Sequence, residues 1–179
     1  MKNRKLFGLQ LFAEAVAGKK IVYLYRILST EKDHDAKGLA FTTENERTKS
    51  KDADTTATKD GTVRTPGTSE VEITASSLLK KGDKFIDELE DALDNDQLME
   101  IWEVNLEEEG TDTNKGKYKS KYFQGYLTEL DQTSSAEDNV EISLTFGING
   151  NGVSGYATVS AEQKEIATYV FADTQKTGA

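Results

Sequence analysis

Along the chain the apolar positions come mostly at period two, the spacing of half-buried strands, and only twice at helical spacing. Residues 20–29 (KIVYLYRILS) are β-branched or aromatic on both parities, which predicts a strand covered on both faces. A second strand near residues 39–43 fades into a tract, residues 44–69, with almost nothing apolar; it holds Asp60-Gly61 and the single proline, Pro66. A long polar loop is the expectation there, and loops of that length are usually functional or disordered when alone. Val71 and Ile73 then alternate with Glu70, Glu72 and Thr74 as a third strand. Asp83 is placed to cap a short helix ending near Asn95, with Phe85, Ile86, Leu89 and Leu93 on one stripe. Strand character returns over residues 98–106, which carry Trp102, and a Thr/Asp/Asn-rich turn follows at residues 110–116. In the next strand Tyr118, Tyr122, Tyr126 and Leu130 share one parity, with Phe123 and Leu127 on the other. The clearest strand is Val140-Ile142-Leu144-Phe146-Ile148, stopped by Asn149-Gly150-Asn151-Gly152. A final helix runs from Ser160 to about Phe171, with Ser160 and Gln163 in capping-box positions and Ile166, Tyr169 and Val170 as its apolar side. The pattern predicts an α+β domain: an antiparallel β-sandwich or partly closed β-barrel with one flanking α-helix and a short C-terminal helix. Strand order is not legible.

At 179 residues the chain is one domain with terminal extensions, divided as an N-terminal arm 1–18, a core domain 19–174 containing the polar loop 44–69, and a tail 175–179. No apolar stretch reaches the roughly 18–20 residues that span a bilayer. The start resembles a secretory signal, with Lys2, Arg4 and Lys5 ahead of Leu6–Phe12 and Ala15-Val16-Ala17 like a cleavage site. Gln10 within the apolar run and Glu14 beside the supposed site oppose that reading, leaving an apolar arm that docks on its own core or on a neighbour.

Chemistry narrows by elimination. With no cysteine, thiolate metal sites, disulfides and cysteine nucleophiles are excluded; a single histidine, His34, excludes multi-histidine zinc. His34 lies between Asp33 and Asp35, and no nucleophile-elbow motif accompanies it. Asp52 and Asp54 begin a calcium-loop pattern that Thr56-Ala57 break. No glycine-rich loop precedes a helix as phosphate binding requires. The lysine and aromatic residues of 117–123 have the makings of a single-strand nucleic-acid surface, but tyrosines on one strand face more often form cross-strand pairs. The net charge of −10 is the wrong sign for gripping phosphate backbones or anionic lipid. It is concentrated: residues 82–112 hold thirteen acids and one base, Lys84, a net of −12, either a field that repels a polyanion or a solvated face.

Several ordered stretches resemble the major tail proteins, or tail tube proteins, of long non-contractile-tailed bacteriophages and prophages of Gram-positive bacteria. They are residues 52–63 (DADTTATKDGTV), 99–104 (MEIWEV), 122–128 (YFQGYLT), 142–150 and 167–174 (ATYVFADT), within a similarity running from Ala17 to Thr174. The residues before Ala17 depart from it. The resemblance implies a β-sandwich-like virion subunit, made in the host cytoplasm, that self-assembles into stacked hexameric rings forming a DNA-conducting tube. It implies no enzyme activity, cofactor, metal or membrane contact, with partners in further copies of itself and in terminator, tape-measure and distal tail proteins. DNA would pass without specific binding. On this reading Asp54, Thr55, Thr58, Lys59, Asp60, Gly61, Thr62 and Val63 form an inter-ring or inter-subunit loop, and Glu107, Glu108, Glu109 and Asp112 are candidate lumen acids. A secreted or cell-surface β-sandwich binding module is the alternative, which cleavage after Ala17 would favour.

Overall fold

The period-two run around Leu144 becomes strand β6 (Glu141–Ile148) in the middle of an antiparallel sheet, with Ile142, Leu144 and Phe146 fully buried. The computed structural model describes residues 15–167. Before β6 come β1 (Ile21–Ile27), β2 (Thr42–Thr58), β3 (Gly61–Leu78), helix α1 (Lys84–Asp94), β4 (Met99–Glu109) and β5 (Tyr118–Thr133). After it come β7 (Val153–Ala157) and helix α2 (Ala161–Ala167). The sheet order is β1-β4-β5-β6-β3-β2, with β7 also pairing β5. This is the expected α+β, sandwich-like fold, with a sheet that does not close on itself.

β5 is long enough to serve two partners in line. Its residues 125–133 pair with β6 and its residues 118–122 with β7, so β6 and β7 form one interrupted strand along a single edge. Residues 149–152 therefore loop out of a continuing line, tied back by the Asn149 N–H donating to the Gln124 carbonyl at 2.7 Å. Gly152 has φ +71°, and a Cβ there would sit 2.4 Å from the Phe123 ring, so both backbone and space demand glycine. A register shift between Leu127 and Glu129 moves Leu130 to the core side, where Leu127 already lies, away from the parity of Tyr126.

The sheet curls until its edges meet through side chains. The Tyr25 hydroxyl on β1 donates to Asn45 Oδ1 on β2 at 3.0 Å, and Arg47 on β2 pairs with Glu103 on β4, Nε to Oε2 2.5 Å. Inside this curl lie Tyr25, stacked on Phe146 at 5.2 Å, with Ile73, Met99, Ile101 and Phe123. Helix α1 closes the core with Phe85, Ile86, Leu89 and Ala92. Its predicted cap is present: Asp83 Oδ1 accepts from the Phe85 N–H at 3.0 Å. On the other face of β1 and β4 a second cluster of Leu24, Val104 and Val159 is covered by the chain entering α2. That accounts for the strand whose two parities are both apolar. The capping box of α2 is reciprocal, the Gln163 N–H to Ser160 Oγ at 3.1 Å and the Ser160 N–H to Gln163 Oε1 at 2.9 Å. The helix continuation predicted toward Phe171, with Tyr169 and Val170, lies outside the described residues, as do the first fourteen residues and the tail 175–179.

Residues 44–69 correct the sequence reading. They are not a loop but most of a long antiparallel hairpin, β2 against β3, with ladder pairs from Thr42↔Ser77 to Thr58↔Gly61. Backbone pairing and the β-branched threonines favour it, and its largely exposed outer faces leave no apolar alternation to read.

Candidate assembly surface: the hairpin arm and the acidic turn

β3 leaves its partner β6 at the pair Val71↔Ile148; beyond it, residues 61–70 pair only with β2. At ~3.3 Å per residue this free arm is about 33 Å long. Every named loop candidate lies on it. Asp54 stands opposite Thr65, Thr55 opposite Arg64, and Thr58 opposite Gly61, with Lys59 and Asp60 as the turn and Thr62 and Val63 on the returning strand. All of them are exposed, Val63 at 53%. The Thr58 hydroxyl donates to the Gly61 carbonyl at 2.6 Å, closing the tip. Lower on the arm, a register shift between Lys51 and Ala53 faces Pro66, and a Cβ on Gly67 would come 3.1 Å from the Asp52 carbonyl oxygen. The arm thus has an irregular joint near its middle.

The four acid candidates sit together at the β4–β5 turn. Glu107, Glu108 and Glu109 end β4, and Asp112 adopts φ +52° in the turn. Their carboxylates are not all free. Glu108 pairs with Lys119 at 2.5 Å and accepts from Asn105 Nδ2 at 2.8 Å, while Glu109 Oε1 accepts from the Gly116 N–H at 2.9 Å. Cations from outside residues 82–112 also offset that segment: Lys37 with Glu88, Arg26 with Glu100 and Arg47 with Glu103. The field is therefore weaker than the local sequence charge suggests. By register, the β4–β5 turn and the free end of β3 lie at the same end of the sheet. No hydrogen bond or ion pair among the described residues joins the two sets.

Two polar groups that sequence reasoning missed lie further down β4. Glu103 accepts from the Tyr23 hydroxyl at 2.8 Å as well as from Arg47, and Arg47 lies over Phe123 at 5.9 Å. Burial raises the carboxyl pKa of Glu103, but hydrogen bonds from Arg47 and Tyr23 outweigh it and hold the group below its ordinary value. Burial, then Glu103, push the Tyr23 hydroxyl upward. On the opposite face, Glu100 is buried beneath Arg26 Nε at 2.7 Å and the Tyr122 hydroxyl at 2.7 Å, and Gln124 Nε2 donates to that hydroxyl at 2.6 Å. Arg26 also lies over Trp102, 5.1 Å from its centroid. Only Arg26 and Glu100 facing each other across a strand pair could have signalled this, and that requires the register. The lysine-aromatic stretch 117–123 is cross-strand packing: Phe123 is core, Tyr122 serves Glu100, Lys119 serves Glu108 and Lys121 lies over Phe123. Among the described residues no group of acids and histidine is arranged to hold a metal.

The fold is a curled sheet with a polar hairpin arm and an acidic turn at one end. Residues 15–154 match the family model of phage tail tube proteins, and the chain belongs to that family. It is a major tail subunit, a component of the virion tail. A protein of Staphylococcus phage phiMR25 described as a putative tail protein is 35% identical over 148 residues, 81% of this chain and 77% of the relative. Among solved structures, the tail tube of SPP1 superposes with a TM-score of 0.69 at 18% identity, covering 92% of this chain and 95% of that one. The tail of an empty gene transfer agent particle, with C6 symmetry, gives 0.59 at 11% identity over 80% of this chain and 100% of that one. At such identities these two likenesses concern the fold alone.

Proposed function

We propose that the chain forms six-membered rings that stack into the DNA-conducting tail tube, the hairpin arm making the contact between rings. The observation that supports this most is the arm itself. The outer parts of a 17-residue and an 18-residue strand, residues 49–58 and 61–70, extend past the sheet with largely exposed polar faces and no core beneath them. Such a ribbon contributes little to the fold of one subunit and much surface to a neighbour. Asp54, Thr55, Thr58, Lys59, Asp60, Gly61, Thr62 and Val63 are its contacting end. Glu107, Glu108, Glu109 and Asp112 face the lumen, where negative charge keeps DNA from adhering to the wall. Terminator, tape-measure and distal tail proteins meet the tube at its ends and inside, and the product is made in the host cytoplasm before entering the virion. The relevant symmetry is visible in the solved C6 gene transfer agent tail. Electron microscopy of the purified chain tests the reading: stacked rings with sixfold top views are expected, and a protein monomeric at every concentration and salt would sink it.

A further inference from the structure

The two ends of the sheet differ. The hairpin arm leaves at one end; at the other β2 begins and β3 ends, with Thr42 opposite Ser77 and Leu78 opposite Glu141. At that far end Phe41 adopts φ +51°, a left-handed backbone that a bulky aromatic rarely takes. Its carbonyl accepts from the Leu78 N–H at 3.2 Å, and the adjoining Thr42 hydroxyl donates to the Leu39 carbonyl at 3.0 Å, so the fold holds the residue in this state. The side chain adds little to the subunit core, for it is 64% exposed. Leu79, 36% exposed, follows the residue bonded to Phe41 and donates its own N–H to the Val140 carbonyl at 2.9 Å. A strained backbone that presents an apolar ring to solvent points to a contact outside the subunit.

We infer that Phe41 and Leu79 receive the arm tip of a copy in the next ring, with Val63 as the inserted side chain. The inference deepens the tube reading above and rests on it. Rings stacked in one direction meet head to tail, so an element projecting from one end of a subunit lands on the opposite end of a subunit in the next ring. The arm projects from the end opposite Phe41, and Val63, 53% exposed, is the exposed large apolar side chain it carries. Charge is compatible with this match. Asp54, Lys59, Asp60 and Arg64 surround the tip; Lys80 and Lys81 follow Leu79, and Glu137 and Asp138 precede Val140, all of them exposed. None of these eight forms an ion pair among the described residues. Each sign at the tip therefore has an opposite sign to meet around the patch. A small apolar centre within a rim of charge is the arrangement in which a few buried side chains carry most of a contact.

The chain has no cysteine, so introduced thiols report alone. Full-length protein carrying both Thr62→Cys and Lys80→Cys, which leave Phe41, Leu79 and Val63 in place, is assembled and treated with a short bis-maleimide linker. A head-to-tail contact repeats, so a ladder of dimers, trimers and longer chains is expected on a denaturing gel. Lys80→Cys with Val153→Cys should give none. Dimers from Lys80→Cys alone would mean that the patch meets its own kind, and a ladder from positions 80 and 153 but not 62 and 80 would put a neighbour's β7 there; either overturns the inference. Phe41→Gly supplies a second readout, because glycine accepts the left-handed backbone freely. The isolated subunit should melt at the parent's temperature or above it, while the protein concentration needed for tubes rises about tenfold or more. A lowered melting temperature would place the ring in the subunit's own core and overturn the inference. Tubes that form from Phe41→Gly at the parent's concentration, or parent-like tubes with no link between positions 62 and 80, overturn the docking while leaving the tail-tube reading intact. Failure of the unsubstituted protein to form tubes removes both.

Discussion

At the scale of single residues, the seam between sheet edges depends on one carboxylate. Glu103 faces Arg47 and Tyr23, with its side chain 21% exposed and that of Arg47 29%. Glu103→Gln removes the charge and leaves the Arg47 guanidinium poorly matched, at a cost of about 1–3 kcal/mol by urea unfolding. The pH dependence follows from the direction of the shift. Glu103 binds its proton less readily folded than unfolded, so its contribution is complete above the unfolded carboxylate value and disappears as pH falls through the lower folded one. Stability curves of the parent and the Gln variant should therefore converge as pH drops into the acid range. A gap that stays constant down to the acid limit would mean Glu103 acts only by packing. A second residue-scale test is Gly125→Ala: the new Cβ would sit 2.2 Å from the Gly147 carbonyl oxygen, forcing β5 and β6 apart. A loss of at least about 1–3 kcal/mol is expected, read as a lowered melting temperature.

At the scale of elements, legibility tracks burial. The β6 alternation, the Asp83 cap and the Ser160–Gln163 box were plain because each depends on neighbours close in sequence. The hairpin was not, because both faces of β2 are exposed from Lys49 to Thr58 and polar strands carry no period-two signal. The in-line pairing of β6 and β7 on β5 was also hidden, since Asn149-Gly150-Asn151-Gly152 reads as a stop whether the chain turns or merely bulges. The proposed assembly residues come from resemblance to a family, whereas their strand pairing required the structure. An arm outside the core should be dispensable for folding. Replacing residues 53–66 by a two-residue Asn-Gly turn should leave the cooperative melt within a few degrees of the parent and abolish stacking in electron micrographs. Leu144→Ala, by contrast, empties a fully buried site and should cost about 2–5 kcal/mol. A large drop in stability on shortening the arm would show that it belongs to the subunit core after all.

At the scale of the whole molecule, charge is the property that differs most from what sequence position suggests. The thirteen acids of residues 82–112 look like one block, yet the fold assigns them to different tasks. Asp83 caps α1, and Glu88, Glu100 and Glu103 are matched by Lys37, Arg26 and Arg47. What remains for a long-range field is divided between α1 and the turn after it, in Asp87, Glu90, Asp91, Asp94 and Asp96, and the β4–β5 turn, in Glu107, Glu109 and Asp112 together with Glu108 beside Lys119. If that turn faces the lumen, a variant with Glu107, Glu108 and Glu109 changed to Gln and Asp112 to Asn loses a ring of negative charge at every level of the tube. Apolar burial is untouched because all four are exposed, and an amide at position 109 can still accept from the Gly116 N–H. Tubes should form as before but retain short duplex DNA when washed at 0.01 M salt, where the Debye length is about 30 Å. They should release it near 0.1 M, where screening reaches about 10 Å. Parent tubes should retain none at either salt. Equal retention by parent and variant would place the turn on the outer wall, where the same acids serve only to keep the particle in solution.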